Sequence, residues 1–167
     1  MPVGIADIRS EMGADIAQIR ALLEHAFPTP GEAALVDRLR RDGSIFASLV
    51  AAMDDRIVGH VVFSKMLAPR DALGLAPVAV LESFRRSGIA AQLISSGLER
   101  AKADGWKSAF VLGDPGYYAR FGFEPGLAEG FASPYAGPHL MGLELQPGAL
   151  AAHSGPLRYP EAFSDLG

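Results

Sequence analysis

Apolar residues recur along this chain with two periods, and the switches between them mark its elements. Ile16, Ile19, Leu23 and Ala26 fall at helical spacing, which predicts a helix from about Asp15 to Ala26. A short strand is expected before it, over Val3 to Arg9. Phe27-Pro28-Thr29-Pro30-Gly31 breaks the helix, and Leu35, Val36 and Leu39 turn inward from a second short one. Ile45 to Met53 is apolar almost throughout and reads as a buried strand. Asp54-Asp55-Arg56 turns it into its hairpin partner, Ile57 to Ser64. Leu73 to Leu81 carries no polar side chain at all, the pattern of a strand covered on both faces. Pro77 inside it lacks an N–H and predicts a bulge or irregular point.

Downstream, Ile89, Leu93, Ile94, Leu98 and Ala101 form the clearest apolar stripe in the chain, with Gln92, Glu99 and Lys102 free to face water. Asp104-Gly105 ends that helix, and Ser108 to Leu112 is a short apolar strand. Strand, helix, strand of these lengths is a βαβ unit, which joins parallel strands. Asp114-Pro115 supplies a capping oxygen and a proline at the first helical position, so a brief helix is expected from Gly116 to about Phe121, ended by Gly122. Gly126 to Pro138 reads as a loop. Met141, Leu143 and Leu145 alternate, placing a strand over His139 to Leu145. The glycine- and proline-bearing stretch from about 147 to 167 reads as an extension wrapped on one domain that fills residues 1–167; no repeat or domain boundary interrupts it.

Composition narrows the function classes. Apolar residues make up 49% of the 167 and charged ones 20%, an ordinary balance for a globular chain. The formal charge of -4 and the lack of a basic stripe argue against nucleic acid as a partner, because phosphate neutralisation supplies most of that affinity. There are no cysteines, which excludes disulfides, thiolate zinc sites and an acyl-thioester on the enzyme. Asp7, Arg9 and Glu11 interrupt the N-terminal region too early for a signal peptide, and no apolar run is long enough to span a bilayer. A cytoplasmic protein is expected. His25, His139 and His153 match no ligand spacing, so no metal is expected. Trp106 and Phe110 are expected in the core.

The chemistry concentrates in Val78-Ala79-Val80-Leu81-Glu82-Ser83-Phe84-Arg85-Arg86-Ser87-Gly88-Ile89-Ala90. A buried strand there feeds through a short turn into a helix. The first N–H groups of a helix lack internal partners and sit at the positive end of its dipole, which suits phosphate. Gly88 lets backbone approach a ligand without a Cβ in the way, and Arg85 and Arg86 add positive charge. Neither G-x-x-x-x-G-K-[ST] nor G-x-G-x-x-G after a strand is present, so nucleotide hydrolysis and dinucleotide redox chemistry lose support. No G-x-S-x-G elbow points to a serine hydrolase.

Arg85 to Ala90 resembles the [QR]-x-x-G-x-[GA] pyrophosphate loop of the GNAT acyltransferases. Val78-Ala79-Val80 resembles the strand that pairs with the pantetheine arm of coenzyme A in that superfamily, and Tyr118-Ala119-Arg120-Phe121-Gly122-Phe123 resembles its Y-x-x-x-G-F segment. The likeness covers nearly the whole chain. Val111-Leu112-Gly113-Asp114-Pro115 and Arg158-Tyr159-Pro160 look like the bacterial predicted acetyltransferases called YhbS-like. The resemblance implies an α/β (α+β) fold: a mixed, twisted sheet of six to seven strands flanked by about four helices. Its fourth and fifth strands splay apart, and the cofactor wedges between them.

The likeness implies an N-acetyltransferase that moves an acetyl group from acetyl-CoA to a primary amine by direct attack in a ternary complex. The backbone from Arg86 to Ala90 would hold the pyrophosphate. A backbone N–H on the fourth strand, at Val80, would stabilise the carbonyl oxygen. Tyr118 would protonate or hydrogen-bond the leaving thiolate, since a phenol of pKa about 10 keeps its proton where a thiol of about 8.5 does not. The general base stays open: the fourth strand carries no carboxylate, Glu82 lies past it, and His60 or a water route remain. Two other readings stand beside the enzyme, an acyl-CoA-binding sensor or partner module and transfer of a longer acyl chain. The acceptor, a small-molecule or peptide amine, is expected to meet the first two helices and the Gly126 to Pro138 loop. There Glu24, Glu32 and Asp37 either attract a cation or form a solvated face. Homodimers are common in the family, and no interface is legible.

Overall fold

A computed structural model describes residues 6–166. The first strand, β1, is Asp7–Ser10; the earlier part of the expected strand, Val3 to Ile5, lies outside the described residues. A single 3-10 turn leads into α1 (Ile16–Ala26), and α2 (Gly31–Asp42) follows the proline break. Next come β2 (Ile45–Met53), β3 (Arg56–Lys65) and β4 (Ala72–Val80), each within a residue or so of the apolar runs that predicted them. The βαβ unit continues through α3 (Ile89–Ala103) and β5 (Ser108–Leu112). A one-turn helix, α4 (Pro115–Tyr118), precedes β6 (Phe131–Ala132), β7 (Leu140–Glu144) and β8 (Gly155–Pro156).

Six strands form one mixed sheet in the order β1-β2-β3-β4-β5-β7, antiparallel throughout except for the β4–β5 pair. Helices cover both faces. On one, Leu93, Ile94 and Ala101 of α3 pack on Val61, Phe63 and Leu73. A Cβ on Gly97 would fall 2.0 Å from the Phe63 ring, so α3 lies on the sheet with only backbone at that contact. On the other face, Ile19, Leu23 and Leu39 of α1 and α2 pack on Val50, Val62 and Ala79. Each of the larger side chains among these, the valines, leucines, isoleucines and Phe63, contributes roughly 1.5–3 kcal/mol when taken from water.

Two irregularities in β4 prepare the site. Val61 and Phe63 of β3 face Val78 and Leu75 of β4, so three steps along β4 match two along β3. The extra residue falls at Ala76–Pro77, the bulge that the proline predicted. On its other side β4 pairs with β5 only through Ala72–Ser108, Leu73–Ala109 and Gly74–Phe110. Beyond Gly74 the two strands part, while β5 stays paired with β7 along all five of its residues. The sheet is therefore split from Leu75 onward.

The Gly126 to Pro138 stretch is less irregular than its composition suggests. It holds a 3-10 turn at Pro125–Leu127 and the two-residue β6, which pairs with β8 in the tail. Two residues are too few to show a period. The tail does wrap: Arg158 exchanges backbone bonds with Leu67 and Ala68, and the 3-10 stretch Glu161–Leu166 packs on α2.

Candidate active site

Leaving β4, the chain makes a 3-10 turn at Glu82–Phe84 and bends through two left-handed residues, Arg86 (φ 63) and Gly88 (φ 86), into α3. Arg85 donates from Nε to the Val80 carbonyl at 3.2 Å, and the Ser87 hydroxyl donates to the Phe84 carbonyl, which fixes the turn. The first intrahelical bond runs from the Gln92 N–H to the Gly88 carbonyl at 3.0 Å. The N–H groups of Ile89, Ala90 and Ala91 precede it and point out of the helix end. Nothing lies within 4 Å of where a Gly88 Cβ would sit. In front of these donors is a cavity of about 370 Å³ walled by Val80, Phe84, Arg85, Arg86, Tyr117 and Arg120.

The middle of β4 adds a second set of donors. The Leu81 N–H bonds the Val58 carbonyl, and Ala79 stands opposite His60. Along an antiparallel strand the polar groups turn to alternate sides. Ala79 therefore spends its backbone on β3, while Val78 and Val80 turn theirs toward the space β5 has left. Ala79 remains a neighbour of the cleft through its strand and not through a free N–H.

Asp114 caps α4 as its sequence predicted, accepting from the Gly116 N–H at 3.0 Å. This places Tyr117 and Tyr118 at the end of β5, with their rings edge to face at 5.1 Å. Tyr118 is 9% exposed and packs against Phe123. Gly113 makes room for it, since a Cβ there would come within 2.6 Å of the ring. Burial, with a smaller contribution from Tyr117, pushes the Tyr118 hydroxyl up to about 12. It holds its proton across the physiological range.

The structure thus gathers Val80, Arg85, Arg86, Gly88, Ile89 and Ala90 around one cavity. Tyr118 stands behind that wall, and its neighbour Tyr117 forms part of it. Arg120 is a further lining residue that the sequence pattern did not single out. Its guanidinium lies 4.3 Å from the centre of the Tyr117 ring and its Nε donates to the Tyr117 carbonyl. The three-residue spacing on a helical turn was the available signal.

His60 behaves differently from a base. It is fully buried, its Nε2 lies 2.8 Å from the Ser48 hydroxyl, and its Nδ1 has no partner. Ser48 in turn bonds Glu11, which Arg40 grips through two contacts of 2.9 Å. Burial lowers His60 to about 4, against a smaller upward pull from Glu11. A nitrogen so weakly basic and so completely buried is a poor proton acceptor.

Across the split, on the face covered by α1 and α2, a second cavity of about 330 Å³ lies against Leu75 and Ala76 of β4 and Leu112 of β5. Its other walls are Glu32 of α2, Tyr135, and Tyr159, Phe163 and Leu166 of the tail. The Tyr159 ring lies over Gly74, where a Cβ would meet it at 2.8 Å. The cavity therefore sits at the fork of the two strands.

Both the sequence and the fold have relatives among known proteins. The model of the acetyltransferase (GNAT) family matches residues 16–123. The chain belongs to the GNAT acetyltransferase family. Among its GNAT relatives, the N-acetyltransferase YhbS of Escherichia coli (strain K12), itself uncharacterized, is 41% identical over 121 residues, spanning 70% of this chain and 72% of that protein. The crystal structure of YhbS from Escherichia coli in complex with CoA superposes with a TM-score of 0.92 at 35% identity, covering 100% of this chain and 96% of that one. A GNAT acetyltransferase from Brucella melitensis, in complex with acetyl-CoA, gives 0.80 at 33% identity, with 95% and 97% covered. The expected GNAT fold is the observed one: six strands in the main sheet and, among the described residues, four α-helices. Among those residues no helix is long and apolar enough to cross a membrane.

Proposed function

We propose that this GNAT chain transfers an acetyl group from acetyl-CoA to a primary amine by direct attack in a ternary complex. The observation that carries the reading is the run of unpaired donors along one path, from Val78 and Val80 in the split strand to the open start of α3. The N–H groups of Ile89, Ala90 and Ala91, with Arg85 and Arg86, would hold the pyrophosphate of the cofactor. The backbone of Val78 and Val80 would pair with its pantetheine arm. Bound acetyl-CoA supplies an activated acyl group as a thioester.

The rest falls to the chain. The Val80 N–H would donate to the carbonyl oxygen as charge builds on it, and Val78 turns the same way. The amine nitrogen forms the new bond to the acyl carbon, the carbon–sulfur bond breaks, nitrogen gives up one proton and sulfur gains one. Tyr118 is the donor assigned to that sulfur. With its hydroxyl at about 12 in the free protein and a thiol near 8.5, full transfer from Tyr118 is uphill. A hydrogen bond to the departing thiolate is the form its help takes. His60 is sealed in the core, and with no side chain assigned as general base the amine proton leaves through water.

A second reading, an acyl-CoA-binding partner module, draws on the position of Tyr118 behind the cavity wall. Calorimetric titration with acetyl-CoA is the deciding experiment. Saturable binding, weakened at least tenfold in Gly88→Leu or Arg86→Glu proteins that melt normally, supports the cofactor site. Absence of binding to folded protein overturns it. Release of thiol upon adding amines then separates enzyme from module, and a chain without cysteine gives that assay no background.

A further inference from the structure

Three acidic residues on the first two helices have the same standing in the sequence, and the fold separates them. Asp37 is paired with Arg20 at 2.8 Å and with Arg40 at 3.2 Å. Glu24 faces solvent on α1. Glu32, in the first turn of α2, is a half-buried lining residue of the cavity at the strand fork, and its Oε1 has no hydrogen-bond partner. Among the described residues of that lining it is the one charged side chain. The other walls are apolar or aromatic: Tyr135 and Tyr159 meet edge to face at 5.7 Å, and Tyr159 and Phe163 lie 4.9 Å apart.

A carboxylate oxygen accepts hydrogen bonds and cannot donate them. Left without a donor, the oxygen is under-satisfied, and a ligand N–H⁺ gives the carboxylate the partner it lacks. Aromatic faces beside it attract the same charge. A volume of about 330 Å³ is at the small end of ligand cavities, roughly 300–1,000 Å³, and the tail closes one side of it.

We infer that this cavity takes the acyl acceptor as a small organic cation with an aromatic or alkyl body, and that Glu32 is the residue that selects its charge. The inference rests on the acyl-transfer reading for calling the ligand an acceptor; the cation site itself stands on the cavity and the orphaned oxygen. Glu32 acts in recognition, gripping the ammonium form that predominates at neutral pH; that ammonium gives one proton to water before its nitrogen can attack.

The test is calorimetry with three probes of one shape: phenethylamine, phenethyl alcohol and 3-phenylpropanoate, each with the free protein at pH 7.5. The amine is expected to bind saturably, the alcohol at least tenfold more weakly, and the carboxylate more weakly still. Glu32→Gln is expected to erase the preference of amine over alcohol while leaving acetyl-CoA affinity and melting temperature unchanged. Should that variant melt early, Tyr135→Ala, on a half-exposed loop residue, is expected to weaken the amine severalfold. Equal binding of amine and alcohol, undiminished amine binding by Glu32→Gln, or no amine binding at all overturns the inference. If acetyl-CoA binds and the amine preference is absent, the inference alone fails. If the amine preference is present and acetyl-CoA does not bind, the acyl-transfer reading fails and the cation site stands.

Discussion

The two cavities on either side of the split sheet are built from different materials. The one under the start of α3 is walled largely by a single continuous stretch, Val80 to Ala91, and its key groups are backbone N–H donors. The one at the strand fork is walled by side chains from α2, β4, β5, a loop and the tail, brought together from Glu32 to Leu166. A ligand that never changes can be held by main chain, whose donors need no particular side chain. A ligand that differs between relatives calls for side chains that can be exchanged without disturbing the turn. The difference in material is a difference in what each cavity leaves free to vary.

The largest effect expected belongs to a residue in neither lining. Tyr118→Phe should lower turnover by about 10²–10³-fold, the usual loss when one donor to a developing anion is removed, with the affinities for acetyl-CoA and amine unchanged. Steady-state rates alongside titrations check this; unaltered turnover would remove Tyr118 from the chemistry. A crossed measurement sharpens the contrast further. Gly88→Leu should weaken acetyl-CoA at least tenfold and leave the amine within about twofold, and Glu32→Gln should do the reverse, because separated sites add independently. Coupling between them, read as a non-additive double variant, would show one continuous cleft.

The unequal legibility of the two cavities has the same cause. The sheet, its four helices and the α3 turn follow from periods and turn residues that are local in sequence, and Arg85, Gly88 and Ala90 were readable because they stand within six residues of one another. Pro77 announced its own bulge. Glu32 could not be told from Asp37, since the distinction depends on Arg20 and Arg40 pairing with one and the tail folding over the other. Tyr135, Tyr159 and Phe163 share no spacing; only the wrapped tail unites them. His60 offered the right chemistry for a base, and its complete burial, which a residue's neighbours along the chain do not reveal, withdrew it.

The smallest effect concerns that histidine and is a matter of stability. His60 is held near 4 in the folded protein and titrates near 6.5 when unfolded. The unfolded chain binds the proton first, so folding is stabilised fully above pH 6.5 and loses ground as pH falls from there toward 4. Thermal melts should show a lower midpoint at pH 5 than at pH 7.5, and His60→Gln should flatten that slope. A slope that persists in the variant would assign it to the carboxylates instead. Neither cavity contains His60, so ligand affinities measured at pH 7.5 should not vary with it.

The parting of β4 from β5 has a consequence for how the resting protein breathes. A strand in the middle of a sheet normally protects all its amides from solvent deuterium, and here only every second one is shielded. Ala79 and Leu81, bonded to β3, should exchange slowly, while Val78 and Val80, equally central, should exchange with the speed of a surface loop. The sheet has room at this point for one more strand. Whatever enters there should turn that alternating record of fast and slow amides into an unbroken run of slow ones.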